Sequence, residues 1–420
     1  MTLPRFTVAM LGARMNYAVP RALHRSGQLN ALLTDLYLPD GPARRVLRAL
    51  SAVPGAQSGI RSMLGRYNAE LDGARIVSRQ ASGLQNILRR RRADSGNEVD
   101  GRAVTKRAGA RMLADMLADL SEPGDAVYAF QEAARAPFEA AKSLGMACVM
   151  EQSIAARPFS LQLLEAELDR WGSWFTEAGV PQSTPDKVDQ LQAEWEAADK
   201  IVAPSEFVRT SLLACGVPED KIVVFPYGVT LSTQGARLPD YDGTRPLRVL
   251  FAGNARLRKG IHHLLQAAET LGPKAVDLRV VGEVGLKPEP LARFAAVADF
   301  RGRVPRSEMP DHFHWADVFI LPTLIEGSAT VVYEALSFGL PAVVTPNAGS
   351  VVEDGHDGQV IAASSPEAIV TALGLYLDDP QRLHAQAAAA REAGNKISYA
   401  RYESDLQRFF RSFDVKAAAQ

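Results

Sequence analysis

Along the 420-residue chain, short apolar runs alternate with longer stretches that are apolar on one side only, the pattern of parallel α/β units. In the first half the apolar runs predict strands at 6–11, 126–130, 147–150, 200–202 and 222–225. Helical spacing between them predicts helices at 19–26, 133–144, 161–177, 188–198 and 205–214. A polar, turn-rich stretch at 230–246, with Pro239, Gly243 and Pro246, interrupts the series. Beyond it lie predicted strands at 248–252, 277–281, 318–321 and 342–345, and helices at 261–270, 330–338 and 369–377. A last amphipathic stretch, 399–413, comes after the second series should be complete.

A chain of this length exceeds one ordinary core, so the two series are expected to be two domains. The expected limits are 1–235, then 246–395, with 396–420 a helix crossing back to the first domain. A formal net charge of −1 gives no overall drive toward nucleic acid. The sum hides an asymmetry. From Asp40 to Arg111, fifteen Lys/Arg, including Arg44, Arg45, Arg48 and the run 89–92, stand against six Asp/Glu. Val46, Leu47, Leu50 and Val53 are interleaved at helical spacing, so this basic insertion (about 41–111) suits an anionic membrane surface or an anionic acceptor; a solvated insertion is the other reading. Cys148 and Cys215 form no disulfide framework, which fits a reducing, cytoplasmic compartment. The apolar N-terminus is too short for a signal peptide, and no run approaches the roughly 18 residues of a membrane span. A soluble protein is expected, or one peripheral at the inner membrane face.

The densest chemistry lies at 318–361. A buried strand is followed by an acidic loop with Glu326 and Gly327, a helix carrying Glu334, and another buried strand. In open α/β sheets ligands gather beyond the carboxyl ends of strands, and a helix start offers free N–H groups and partial positive charge to a diphosphate. Carboxylates beside phosphate are electrostatically poor unless they accept hydrogen bonds from something else, and sugar hydroxyls are suitable donors. The ligand therefore needs both phosphate and polyol parts. A second constellation, Gly253-Asn254-Ala255-Arg256-Leu257-Arg258-Lys259-Gly260, is a glycine turn and basic loop between strand and helix. Cations there can neutralise a departing diphosphate.

The string from Pro322 through Glu326, Gly327, Glu334, Gly339 and Pro341 to Thr345 resembles the donor-site signature of retaining glycosyltransferase family 4, with its Glu-x7-Glu motif. The resemblance implies a GT-B fold: two Rossmann-like α/β domains facing each other across a cleft. It implies that Glu326 holds the donor sugar and Glu334 the ribose, with backbone amides of Ser328, Ala329 and Thr330 on pyrophosphate or sugar. The basic loop resembles the family's diphosphate grip, with Gly253 and Lys259 in place but Asn254 where an Arg is usual. Arg258 or Arg256 then supplies the second cation, Arg258 being favoured. Arg303 and Val304 resemble the stretch that pairs with the nucleobase. After the first strand, Gly12 stands where GT-B enzymes place a glycine loop between donor and acceptor, so Arg14, Asn16 and Tyr17 fall on the acceptor side. Where many relatives carry a His, this chain has Glu151-Gln152, and either is expected to act as an acceptor- or sugar-side polar group.

The implied activity is transfer of a hexosyl-type unit from a UDP-, GDP- or ADP-linked sugar to a glycan, lipid-linked or small hydroxyl acceptor, with retention. Cations and a helix terminus make a metal or other cofactor unnecessary in that scheme. Asp240-Tyr241-Asp242 sits in the linker and is expected to be solvated acid. The seven histidines, His262-His263 among them, are expected mostly at the surface. The rivals are a silent nucleotide-binding partner in a glycan assembly complex and a GT-B epimerase or phosphorylase. A nicotinamide oxidoreductase is disfavoured because neither half has the glycine fingerprint.

Overall fold

A computed structural model describes residues 3–51, 60, 63–80, 99–176, 185–230 and 238–415. Val53, the run 89–92, Asp94 and Glu98 of the basic insertion lie outside the described residues.

Two wholly parallel sheets form the frame. The first contains β1 (Phe6–Met10), β2 (Leu29–Thr34), β3 (Ile76–Ser78), β4 (Ala126–Phe130), β5 (Ala147–Glu151), β6 (Lys200–Ala203) and β7 (Ile222–Val224), in the order β3-β2-β1-β4-β5-β6-β7. The second contains β8 (Leu247–Ala252), β9 (Val276–Val281), β10 (Ala298–Gly302), β11 (Val318–Leu321), β12 (Ala342–Val344) and β13 (Gly358–Val360), in the order β10-β9-β8-β11-β12-β13. Each order reverses once, between β1 and β4 and between β8 and β11, and the crevices at those reversals are where such sheets bind ligands. Helices cover the sheet faces, so central strands such as β1, β4, β5 and β11 are buried throughout and read as unbroken apolar runs.

The predicted elements appear with ends moved by at most six residues, and the strands at 126–130 and 318–321 keep both ends. The helix expected at 161–177 runs Arg157–Trp171, opened by Pro158 in its first turn. Ser205 is the cap of the helix Glu206–Ala214, accepting from the Val208 N–H. Four strands escape the hydrophobic pattern. β2 holds Asn30, whose buried amide donates to Thr7 and to the Glu122 carbonyl. β3 is a three-residue edge, β10 is half exposed, and β13 begins on Gly358, where a Cβ would stand 2.0 Å from the Ala342 carbonyl oxygen.

The chain passes between the sheets twice, side by side. The Val229 N–H donates to Ile397 and the Tyr399 N–H donates back to Val229, 3.2 and 2.9 Å. The helix Tyr399–Ser412 then lies on the first sheet, with Phe410 4.8 Å from Phe6 ring to ring and its carbonyl accepting from Gln28.

Candidate active site

The second sheet's reversal is edged by the loop after β8 and the loop after β11. Gly253 leaves β8 at φ 148° beside Gly282, where a Cβ would stand 2.1 Å from the Gly253 carbonyl oxygen. A 3-10 turn, Leu257–Lys259, follows, and Gly260 (φ 66°) turns the chain into the helix Ile261–Leu271. Gly260 also packs against the second loop, where a Cβ would stand 2.0 Å from the Pro322 carbonyl oxygen. The Leu324 N–H and Thr323 hydroxyl donate to the Arg258 carbonyl, 2.8 and 2.9 Å, stitching the loops together. Asn347 holds the Leu324 carbonyl and Thr345 the Thr323 carbonyl.

That framework brings three predicted residues together. Glu326 Oε2 accepts from Lys259 Nζ and, at 3.2 Å, from Arg258 Nη1, which also donates to the Ile325 carbonyl. Lys259 and Glu326 are almost wholly enclosed, their side chains 9% and 16% exposed. Burial pushes the Glu326 carboxyl up, but Lys259, Arg258 and the Gly327 N–H outweigh it and hold it below its ordinary value. Burial lowers Lys259, and Arg258 adds to that, against the opposing pull of Glu326. The result is an enclosed Lys259–Glu326 pair with the part-exposed Arg258 beside it at a sheet reversal, two cations against one carboxylate.

Arg256 turns elsewhere. It shares Glu283 with Arg303, beside the end of β9, so Arg258 is the second cation at Glu326. Asn254 is exposed. Arg303 is exposed and Val304 half-buried in the turn after β10. Glu334 lies on the helix Thr330–Ser337, largely buried, paired with exposed Arg306 at 2.6 Å. Burial raises its carboxyl against that pairing. No side chain caps this helix at Ala329, leaving its first-turn donors to other partners. One expected contact is spent internally: the Ala329 N–H donates to the Ala348 carbonyl at 3.1 Å. The Ser328 hydroxyl is engaged with Tyr333 at 2.7 Å.

The N-terminal lobe closes over the acidic loop. The Ala155 N–H reaches the Glu326 carbonyl at 3.4 Å, and Ser205 Oγ donates to the Gly327 carbonyl at 2.5 Å. A Cβ on Gly327 would stand 1.9 Å from the Ser153 carbonyl oxygen. Gly327 therefore serves the contact between lobes as well as the turn.

At the first sheet's reversal Gly12 (φ 92°) follows β1, its N–H donating to Asp35 Oδ1 at 2.9 Å. Arg14 is half-buried with its guanidinium 5.1 Å from the centre of the Phe130 ring. Met15, Asn16 and Tyr17 are all left-handed, at φ 47°, 52° and 62°, a costly run for residues with side chains. Asn16 is exposed; Tyr17 is buried, with no hydrogen-bond partner for its hydroxyl among the described residues.

Two expectations are corrected here. Glu151 and Gln152 do not face the cleft. Tyr128 and Tyr227 each donate to the Glu151 carboxyl at 2.8 Å, while burial raises that group despite them and Arg14. Gln152 spends its amide on the Ile154 carbonyl and on Trp195. Both side chains serve the interior of the first lobe. His262 and His263 are not at the surface either. Both Nε2 atoms meet the carboxylate of Glu167, on the N-terminal lobe, at 2.7 and 3.0 Å, among Trp171 and Phe175. These three residues could geometrically approach a metal, their ligand atoms lying within 4.8 Å of one another. Both Nδ1 atoms, however, are buried without a partner among the described residues, where a metal-bound imidazole has its other N–H held. Two neutral rings donating from Nε2 to one carboxylate fit better. Helical spacing alone could not find this cluster, because Glu167 is 95 residues from His262. The linker acids are engaged locally, Asp240 with Arg245 and Asp242 with Thr244.

Residues 246–379 match the family described as "Glycosyl transferases group 1". A GDP-mannose-dependent alpha-(1-6)-phosphatidylinositol monomannoside mannosyltransferase of Mycolicibacterium smegmatis is 31% identical over 46% of this chain and 57% of its own length. A D-inositol 3-phosphate glycosyltransferase of Streptomyces scabiei is 29% identical over 50% of this chain and 54% of its own. The chain thus spans little more than half of these relatives. Among solved structures, Anabaena HepE in complex with UDP and glucose superposes with a TM-score of 0.62 at 14% identity, over 98% of this chain and 100% of that one. Sucrose-phosphate synthase of Thermosynechococcus elongatus gives 0.67 at 14% identity, over 98% of each chain.

Proposed function

We propose that this chain, which has the GT-B fold and whose residues 246–379 match the group 1 glycosyltransferases, moves a sugar from a nucleoside-diphosphate sugar to a hydroxyl acceptor with retention of configuration. The observation that carries the proposal is the meeting of Lys259 and Arg258 on Glu326 at the second sheet's reversal. In this reading the donor diphosphate takes over the two cations, which neutralise the charge that grows as the nucleotide leaves. Glu326, released from them, accepts hydrogen bonds from sugar hydroxyls, and Glu334 accepts from the ribose. The remaining first-turn amides around Ser328 and Thr330 face the phosphates. Arg303 and Val304 border the base, and Gly12 with Arg14, Asn16 and Tyr17 borders the acceptor. The donor domain is placed at 246–395, the acceptor domain at 1–235, and 396–420 as the returning segment. The scheme uses no metal or cofactor.

Both relatives are named for inositol-bearing acceptors, and one for GDP-mannose as donor, which supports a role in glycolipid or polysaccharide synthesis. Among the described residues no helix is long and apolar enough to cross a membrane. The helix Pro42–Leu50 does expose Val46 (58%) and Leu50 (47%) one turn apart, beside exposed Arg45 and Arg48. That face suits the surface of an anionic membrane at the cytoplasmic side. Co-sedimentation with vesicles containing phosphatidylglycerol is expected, and Val46→Glu/Leu50→Glu is expected to abolish it; equal pelleting of both proteins would remove the membrane assignment.

Retention is tested by proton NMR of the fresh product, or of sugar released by donor hydrolysis, before mutarotation. The donor's anomeric configuration should persist. Gly327→Ala provides a geometric check. Its methyl cannot coexist with the Ser153 carbonyl, so the acidic loop shifts and turnover falls by about 100-fold with the circular dichroism spectrum unchanged. Turnover within a few-fold of the parent protein would show that loop seating does not matter.

A further inference from the structure

We propose that Trp174, Phe175 and Thr176 of the N-terminal lobe are positioning residues for the donor site: docked as a strap on the second lobe, they hold the Lys259 loop in the form that takes the diphosphate. The proposal rests on the sugar-transfer reading and adds to it a control on donor binding from the opposite lobe.

The strap grows out of the helix Arg157–Trp171, which is rooted in the first lobe, where the Ala156 N–H donates to Ser211 Oγ at 2.9 Å. Its far end leaves that lobe. After the 3-10 turn Gly172–Trp174, Phe175 pairs with Leu286 as an antiparallel bridge. The Thr176 N–H donates to the Gly285 carbonyl at 2.9 Å, and the Lys287 N–H donates to the Trp174 carbonyl at 2.8 Å. Side chains seal the join. Phe175 and Leu286 are both buried, and the Trp174 ring meets that of Phe294 at 5.5 Å.

The strap clamps the cation loop at both ends. At the loop's start, the Gly285 N–H donates to the Ala255 carbonyl at 2.9 Å, and the Ala255 N–H donates to the Glu283 carbonyl at 2.7 Å. Gly285 thus holds the strap on its carbonyl and the loop on its amide. At the loop's end, His262 stands between the Phe175 ring, edge-on at 5.6 Å, and Glu167 of the strap's own helix, 2.7 Å away. Arg258 and Lys259 lie on the stretch between those clamps. Gly253 and Gly260, at φ 148° and 66°, flank that stretch with glycine freedom, so it can reshape when a clamp lets go. The start of the same helix reaches the other donor loop, through Ala155 at the Glu326 carbonyl. A helix of about 22 Å therefore spans both loops. A site that spends part of its time in an incompetent form binds its ligand more weakly in proportion. Docking raises the competent fraction, which is how these residues act on the diphosphate through the loop.

The test is Lys287→Pro in the full-length protein. Lys287 is exposed and already has φ −70°, the value proline imposes, so the substitution removes the N–H that holds Trp174 without bending the chain. Lys287→Ala keeps that N–H and is the control for the side chain. UDP, GDP and ADP are titrated calorimetrically into the parent and both variants, and the kinetics of donor hydrolysis are measured with UDP-glucose, GDP-mannose and ADP-glucose. In Lys287→Pro the nucleotide Kd and the donor KM should both rise about three- to tenfold, the loss of one backbone hydrogen bond. The kcat should stay within twofold, because bound donor selects the docked form, and Lys287→Ala should match the parent. A bond that serves stability alone would lower the melting temperature and leave Kd and KM unmoved; that result overturns the proposal, as does equal weakening by Lys287→Ala. Linkage also requires the converse effect. In the parent protein, hydrogen exchange of the Thr176 and Lys287 amides should slow when the bound nucleotide is added, and exchange at the same rate with and without it would sink the strap. Failure of the parent to bind any of the three nucleotides would overturn the sugar-transfer reading as well, whereas firm binding indifferent to Lys287→Pro removes the strap alone.

Discussion

Lys259→Ala is expected to lower kcat for sugar transfer by about 100- to 1,000-fold, the size of effect produced by removing one preorganised donor from a developing negative charge. The expectation comes from geometry. Lys259 is enclosed at the mouth of the second sheet, its ammonium held against Glu326, and Arg258 is the neighbouring cation. In water a lost ammonium is replaced by solvent, but in a buried site its absence leaves charge unanswered. Lys259→Arg should recover part of the rate, since charge returns with a different shape. Initial rates of donor hydrolysis or transfer, with circular dichroism to confirm folding, provide the check. A kcat within threefold of the parent enzyme would mean that the leaving group is stabilised elsewhere.

Glu167→Ala is expected to give the second large effect, on closure of the lobes. Its carboxylate bridges His262 and His263 across the interface, in an aromatic setting with Trp171 tilted against the His262 ring and edge-on to that of His263. Removing it leaves two buried imidazole N–H groups without acceptors, a loss of about 2–4 kcal/mol. A lower melting temperature is expected, together with weaker donor binding because His262 lies three residues beyond Lys259. The same contact makes a pH prediction. Burial lowers the pKa of His262 from 6.5 to about 4, outweighing the raising pull of Glu167. Between those values the unfolded chain binds a proton that the folded protein excludes, so this contribution is present above pH 6.5 and lost as pH falls toward 4. Glu167 is held below its ordinary value by the two imidazoles and Ser364 despite burial, so its contribution is also lost on acidification. Tryptophan fluorescence from Trp171 and Trp174 should report the opening in acid. A parent protein whose fluorescence and melting temperature are the same at pH 7 and pH 4.5 would show that the bridge carries no load.

The parts of the fold visible in the sequence are those where burial is total. β11 has no polar position, so its limits, Val318–Leu321, are read directly from the letters. β2 is hidden because Asn30 is its second residue, bonded to a threonine and a carbonyl that only tertiary structure brings near. The same distinction runs through the candidate site. Glu326, Lys259 and Arg258 are legible because a glycine turn and two strand ends place them within a few residues of a ligand crevice. Glu151 ends a strand too, but its direction is decided by Tyr128 and Tyr227, 23 and 76 residues away, and it turns inward. His262 and His263 read as surface residues because nothing local reveals the glutamate on the other lobe. Asp35 and Arg66 escape the sequence reading for the same reason: the Gly12 loop they hold is assembled from three separate segments.

The most direct measurement of the central claim is a thermal-shift titration with UDP, GDP and ADP, run in parallel on the parent protein and on Lys259→Ala. One nucleotide should raise the parent's melting temperature with a saturable dependence on concentration, by RT ln(1 + [L]/Kd) in free energy, and its effect should largely vanish in the variant. A shift of equal size in both proteins would contradict the account, because it would place the diphosphate away from the Lys259–Glu326 pair.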